Sequence, residues 1–294
     1  MVVTAIFEPG FFSSPAVHVA LIIGGVVAVT SGPVGVFTVL RGQSFAGHSL
    51  SDVGSTGGSA AFLLGLGTLW GFLGMGALAA AVMELIGVRQ ARGRDLATGI
   101  VLGASLGLSA LFLYWDTTAG TTTGATVKVL FGSIYTIDPG TVVPVAIFGA
   151  LALALLAVLY RPLLLSSVGA DLAAARGVSV RWVGIGFFVA LVLAVSLSAL
   201  TIGAILSTAL LIGPAATALR ITRRPATAML AAAVVGTAAT WLGVLLAWDS
   251  YSWGSAHHGW PVSFFVVTLV FVFYLVSGAA RRLGPAHGIS GMRS

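Results

Sequence analysis

The sequence predicts an all-α integral membrane protein, a polytopic bundle of about eight or nine transmembrane helices. Hydrophobic residues make up 58% of its 294 residues, charged residues 7%, and the mean hydropathy is +1.07. A soluble domain covers itself with about 25% charged residues, and eight Asp and Glu with fourteen Lys and Arg cannot do so here. The apolar residues also fall in runs of about 20, the length that crosses a bilayer core. Between the runs stand short arginine clusters, the mark of cytoplasmic loops.

Nine runs follow in order: 17–40, 45–66, 69–88, 96–115, 142–160, 183–200, 202–219, 226–248 and 262–280. The pair across 183–219 is the shortest and is interrupted by Gly203 and Pro214. Arg89, Arg92 and Arg94 follow the third run. Arg161, Arg176 and Arg181 follow the fifth, Arg220, Arg223 and Arg224 the seventh, and Arg281, Arg282 and Arg293 the ninth. With all four clusters inside, the loop 248–260 lies outside, and its Trp248, Tyr251, Trp253 and Trp260 form an interfacial aromatic belt. The loop 117–125, also free of Lys and Arg, falls outside too. Nine spans put the N-terminus outside; eight change the parity of one end. The whole chain, 1–294, reads as a single transmembrane domain with a cytoplasmic tail at 281–294. Residues 1–14 lack a basic stretch, which predicts no cleaved signal peptide.

The cytoplasmic loop at about 161–182 is the longest polar-leaning segment on its side. Within it, Asp171 to Gly177 favours a short helix, started where a carboxylate meets the positive end of the dipole and stopped by glycine. Such a helix suits docking of another protein; a plain interfacial connector is the alternative.

Several functions are excluded. A net charge of +6 suggests nucleic acid, but thirteen of the fourteen basic residues are Arg placed between spans, so no nucleic-acid partner is expected. The absence of Cys removes disulfides, thiolate metal sites and redox chemistry. No G-x-x-x-x-G-K-[ST] occurs and the single Lys, Lys128, lies in an apolar stretch, so the chain has no ATPase site of its own. No H-E-x-x-H occurs, and the G-x-S-x-G at Gly103 to Gly107 sits inside an apolar run, away from the strand-to-helix turn that motif needs. The chain is not expected to be an enzyme, nor to hold a permanent cofactor.

Ionisable groups within membrane spans are costly and therefore functional candidates. His18, His48, Asp52 and Glu84 qualify. His18 and Glu84 lie near span ends, where interfacial water reaches them, and a structural role outweighs a functional one. His48 and Asp52 are four residues apart, on one helix face one turn apart. Imidazole and carboxylate together suit borderline divalent ions such as Zn²⁺ and Mn²⁺. Two ligands are too few for a tight site, but a homodimer supplies four. A His–Asp pair that only locks helix packing fits the same spacing.

At these residues the chain resembles the membrane permease of the manganese/zinc/iron family of ABC importers. The stretch from Gly35 through Arg41 to Ser44 and Phe45 is similar to the end of the family's first span, which is followed by Gly-Asp-x-x-x-His. The stretches Arg94 to Ile100, Leu130 to Ile134, Asp171 to Val178 and Leu210 to Ala218 resemble later family segments, in family order. The resemblance implies a type II importer fold in the cytoplasmic membrane of a prokaryote. It implies a homodimer working with a cytoplasmic ABC ATPase and an extracytoplasmic metal-binding protein, with a divalent metal as transported substrate (Mn²⁺ or Zn²⁺, with Fe²⁺ less favoured). It places His48 and Asp52 on the metal path, in the reverse of the family's Asp-then-His order. It makes Asp171, Ala174, Ala175 and Gly177 the helix that couples to the ATPase. His257 and His258, in the outer loop, and Glu84 are secondary candidates. The rival readings are a metal-chelate permease of siderophore type, a gradient-driven secondary transporter, and a membrane scaffold.

Overall fold

The structure, a computed structural model, describes residues 10–86, 91–119, 125–132, 134–253 and 259–283. Its helices are α1 (Pro15–Leu40), α2 (Ser44–Leu63), α3 (Thr68–Ile86), α4 (Ala91–Ala119), α5 (Ala125–Phe131), α6 (Val142–Val168), α7 (Ala170–Ala175), α8 (Val180–Ile202), α9 (Ser207–Ile221), α10 (Pro225–Asp249) and α11 (Val262–Leu283). Nine of them, among the described residues, are 15 residues or longer, and they overlap the nine apolar runs in order.

By length and composition, six segments among the described residues can cross a membrane: Pro15–Leu40, Gly99–Thr118, Pro139–Val168, Val180–Ile202, Pro225–Ser252 and Val262–Ala279. Thr68–Val82 and Ser207–Ile221 are apolar but shorter. The spans at α1 and α8 are 72% buried, against 22% at α4 and α6, so α1 and α8 form the centre and α4 and α6 the rim. Around this centre α1 packs on α10, α9, α6 and α8, while α2 lies against α3, α4 and α8.

Two boundaries differ from the sequence expectation. The fifth run does not end at Tyr160: α6 continues to Val168 with Pro162 inside it. Leu163, fully buried, joins the apolar cluster of Phe187 and Leu191, so residues beyond the arginine remain packed as helix. The connection expected at 161–182 is thus shortened to the stretch between Val168 and Val180, with α7 inside it. In the interrupted pair, Gly203 breaks the chain and Pro214 does not, since α9 runs through it. The break is held by tertiary contact. Ala204 N–H donates to the Val129 carbonyl at 3.0 Å, and Ile205 N–H to that of Leu130 at 3.3 Å. Gly132 (φ +73°) and Gly203 (φ +85°) cross so closely that a Cβ on Gly132 would stand 2.6 Å from the Ile202 carbonyl carbon.

Candidate metal path

The candidate ligands ride on α2, and both ends of α2 are fixed by glycine turns. Gly42 (φ +64°) closes α1, with its own N–H on the Val39 carbonyl at 3.1 Å and that of Gln43 on Thr38 at 2.8 Å. Gly65 (φ +69°) closes α2 in the same way, through Gly65 N–H to Phe62 at 3.0 Å and Leu66 N–H to Ala61 at 2.8 Å. The helix between them is rich in Gly and Ser, which makes it too polar to count among the membrane-crossing segments. Neighbouring helices cover it, and its small side chains admit close contact in place of lipid.

His48 and Asp52 lie on this helix with Nε2 and Oδ2 3.4 Å apart. The imidazole is 45% exposed and the carboxylate 13% exposed. One oxygen and one nitrogen thus stand side by side on α2, a donor set for a borderline divalent ion. Among the described residues no third His, Cys, Asp or Glu joins them. Among the described residues one copy of the chain therefore offers one imidazole and one carboxylate here.

Hydroxyls surround the pair. Ser55 Oγ donates to the Asp52 carbonyl at 2.5 Å and meets Ser109 Oγ of α4 at 3.2 Å, as does Ser59 Oγ. Thr56 donates to the Ser105 carbonyl at 2.7 Å. On the other side Ser51 Oγ donates to the Ala204 carbonyl at 2.6 Å and bonds Ser207 Oγ. These bonds satisfy polar groups that would be costly inside an apolar bundle.

The remaining candidates are dispersed. His18 Nε2 is 2.7 Å from the Phe12 carbonyl, a local contact at the head of α1. Glu84 belongs to α3, and its side chain, with His257 and His258, lies outside the described residues. Asp171, Ala174 and Ala175 are exposed on α7, and Gly177 follows at φ +77°. Asp116 was missed as an intramembrane carboxylate because the fourth run was ended at Trp115, whereas α4 continues to Ala119. The signal was present as Ser105, Ser109 and Asp116, one helical face.

An apolar helical bundle that encloses a polar helix with the His48–Asp52 pair defines a multi-pass membrane protein of the kind that carries solutes. A sequence profile of the ABC 3 transport family matches residues 13–279. The chain belongs to that family and is the membrane-spanning subunit of an ABC transporter, which operates with a separate ATPase and a binding protein. It is 29% identical over 240 residues to a manganese transport system membrane protein of Listeria innocua, covering 81% of this chain and 84% of the relative. It is 26% identical over 209 residues to a high-affinity zinc uptake system membrane protein of Haemophilus influenzae, covering 70% and 78%. Its fold is similar to a chain in the solved structure of PsaBC from Streptococcus pneumoniae in complex with Fab. The TM-score there is 0.77, at 28% identity over 91% of this chain and 92% of the other.

Proposed function

We propose that this chain is the permease of a bacterial divalent-metal importer, one transmembrane unit that moves Mn²⁺ or Zn²⁺ inward as substrate and keeps no resident cofactor. The observation that carries the reading is the His48–Asp52 pair, 3.4 Å apart on the Gly- and Ser-rich helix α2. Manganese and zinc are what its relatives' names state, and a nitrogen–oxygen donor set suits both ions. Two donors hold an ion loosely, which favours release; a homodimer that brings two α2 helices together supplies four.

Transport requires coupling to ATP hydrolysis on the partner chain. Helix α7 is the proposed contact, because Asp171, Ala174 and Ala175 are exposed while Ala173 anchors the helix with no exposure at all. Closure of the ATPase would then push α7 and, through α6 and α8, tilt the bundle between two openings.

ATP-dependent uptake into liposomes, with the ATPase and binding protein present, tests this directly. Wild type is expected to take up Mn²⁺ or Zn²⁺, and the His48→Ala/Asp52→Ala double variant to lose that uptake while remaining folded. Uptake that survives the double substitution moves the metal path away from α2. If wild type takes up no free ion at all, the importer reading itself fails.

A further inference from the structure

Asp116 has no part in the path described so far, and its surroundings do not account for it. The residue is 5% exposed, and its Oδ2 has no hydrogen-bond partner among the described residues. No basic side chain among them forms an ion pair with it. It stands in the last turn of α4, which ends at Ala119. A carboxylate there faces the negative end of the helix dipole, so helix capping gives no reason for it. One turn earlier, Leu113 belongs to the apolar cluster of Phe72, Val129, Ala199 and Ala204. A buried, unpaired carboxylate beside such a cluster is unfavourable until a cation reaches it.

Its position supplies the cation. On α4, Ser105, Ser109 and Asp116 recur at spacings of four and seven, so they share one face. On α2, His48, Asp52, Ser55 and Ser59 recur at four, three and four, again one face. The two faces meet: Thr56 donates to the Ser105 carbonyl, and Ser55 and Ser59 both reach Ser109. Helices α2 and α4 correspond to the second and fourth of the successive apolar runs, so they cross in the same direction and run parallel. A single polar seam therefore begins at His48 and Asp52 and ends at Asp116. At 1.5 Å per residue the two carboxylates are roughly 20 Å apart along the helices. Asp116 lies towards the end of the bundle that arginine placement assigns to the outside.

We propose that Asp116 is a second, outer station for the divalent cation, taking the ion before it reaches His48 and Asp52. This rests on the metal-importer reading above. Between the stations the serine hydroxyls, bonded to one another at 3.2 Å, are oxygen donors that replace water around a moving ion once their mutual bonds open. A carboxylate at the entry draws in a divalent cation and, lacking a fixed counter-charge, releases it inward when the next donors become available.

Two measurements on the complete permease–ATPase complex in lipid nanodiscs test this, with Mn²⁺ alone as probe. The first is equilibrium binding of radioactive Mn²⁺ by wild type, Asp116→Asn, Asp116→Glu and Asp52→Asn. Asp116→Asn, which keeps the size and removes the charge, is expected to lower Mn²⁺ retention at least threefold and to slow uptake at least tenfold. Asp116→Glu is expected to restore part of both. Wild-type retention and uptake in Asp116→Asn overturn the outer station, whatever Asp52→Asn does. Loss in Asp116→Asn together with wild-type behaviour in Asp52→Asn keeps the station and sinks the His48–Asp52 assignment. The second measurement needs no variant: dicyclohexylcarbodiimide, which modifies carboxyls in apolar surroundings, is applied with and without Mn²⁺. Mass spectrometry is expected to find modification at Asp116 that Mn²⁺ suppresses severalfold; modification unchanged by Mn²⁺, or Asn and Glu variants that are merely misfolded while wild-type labelling ignores Mn²⁺, overturns the proposal.

Discussion

Arg41 Nη1 donates to Ser166 Oγ at 2.7 Å, a bond from the end of α1 to the last turns of α6. The same guanidinium stands 5.5 Å from the centre of the Phe187 ring on α8, and Ser166 Oγ in turn donates a hydrogen bond to the Leu163 carbonyl at 3.1 Å. Three helices are tied together here, three residues before α2 begins and four before α7 begins. If α7 moves with the ATPase, as proposed, this contact is one route by which the movement reaches α2.

Removing that side chain is expected to loosen the fold as well as transport. Arg41→Ala loses a charge-assisted hydrogen bond and a cation–π contact, together about 2–3 kcal/mol. Ser166→Ala loses the neutral partner and is expected to cost about 1 kcal/mol. Thermal melts of the purified protein check the ranking. Equal melting temperatures for both variants and wild type would show that the bond carries no weight.

Exchanging the ligands, His48→Asp with Asp52→His, keeps the donor set and reverses its order along α2. The position now filled by an imidazole 45% exposed would hold a carboxylate, and the one 13% exposed would hold the imidazole. Oxygen donors favour Mn²⁺ and imidazole favours Zn²⁺, so changing which donor meets the ion first is expected to shift the Zn²⁺/Mn²⁺ uptake ratio several-fold. Uptake ratios equal to wild type would make order irrelevant and leave only the identity of the pair.

The α2–α3 crossing depends on backbone contact that only glycine permits. A Cβ on Gly57 would meet the Met75 side chain at 2.5 Å and the Gly71 carbonyl carbon at 2.7 Å. A Cβ on Gly71 would meet the Ala61 methyl at 2.6 Å. Gly57→Ala and Gly71→Ala are each expected to destabilise by about 1–3 kcal/mol through overpacking. Because both push the same two helices apart, the double variant is expected to cost less than the sum. Folded yield and melting temperature in detergent decide it; two neutral substitutions would mean the helices separate without cost.

These contacts mark what could and could not be read from the sequence. The spans at α1, α8, α10 and α11 were legible because an apolar run has one low-energy arrangement in lipid, and hydropathy reports it without tertiary information. Helix α2 is a different case: its Gly and Ser lower its hydropathy, and its place inside the bundle follows from what covers it. The Gly203 break and its pairing with Val129 and Leu130 join residues more than seventy apart, and short α5 supplies the partner carbonyls; no local pattern encodes that. His48 and Asp52 were legible as a pair because i,i+4 spacing is local. Asp116 was not, since its meaning depends on α4 lying beside α2 in register.

Helix α7 separates a folding position from a proposed coupling position within one turn. Ala173 has no exposed surface and fixes the helix to the bundle, whereas its neighbour Ala174 faces outward. Ala173→Leu therefore forces a larger side chain into filled space and is expected to lower stability by about 1–3 kcal/mol. Ala174→Leu changes only the outer surface, so the melting temperature is expected to stay within a degree or two of wild type. If α7 seats in the ATPase, Ala174→Leu still disturbs transport, because the added bulk lies at the contact. Its expected signature is folded permease, weakened ATPase association, and ATP hydrolysis no longer stimulated by metal-loaded binding protein. Gly177→Ala gives a different signature, because its φ of +77° disfavours any Cβ and the strain bends the exit towards α8. It is expected to lower stability by about 1 kcal/mol and stimulation together. Ala174→Leu with normal ATPase association and normal stimulation would leave α7 a simple connector, and coupling would have to enter the bundle through another cytoplasmic turn.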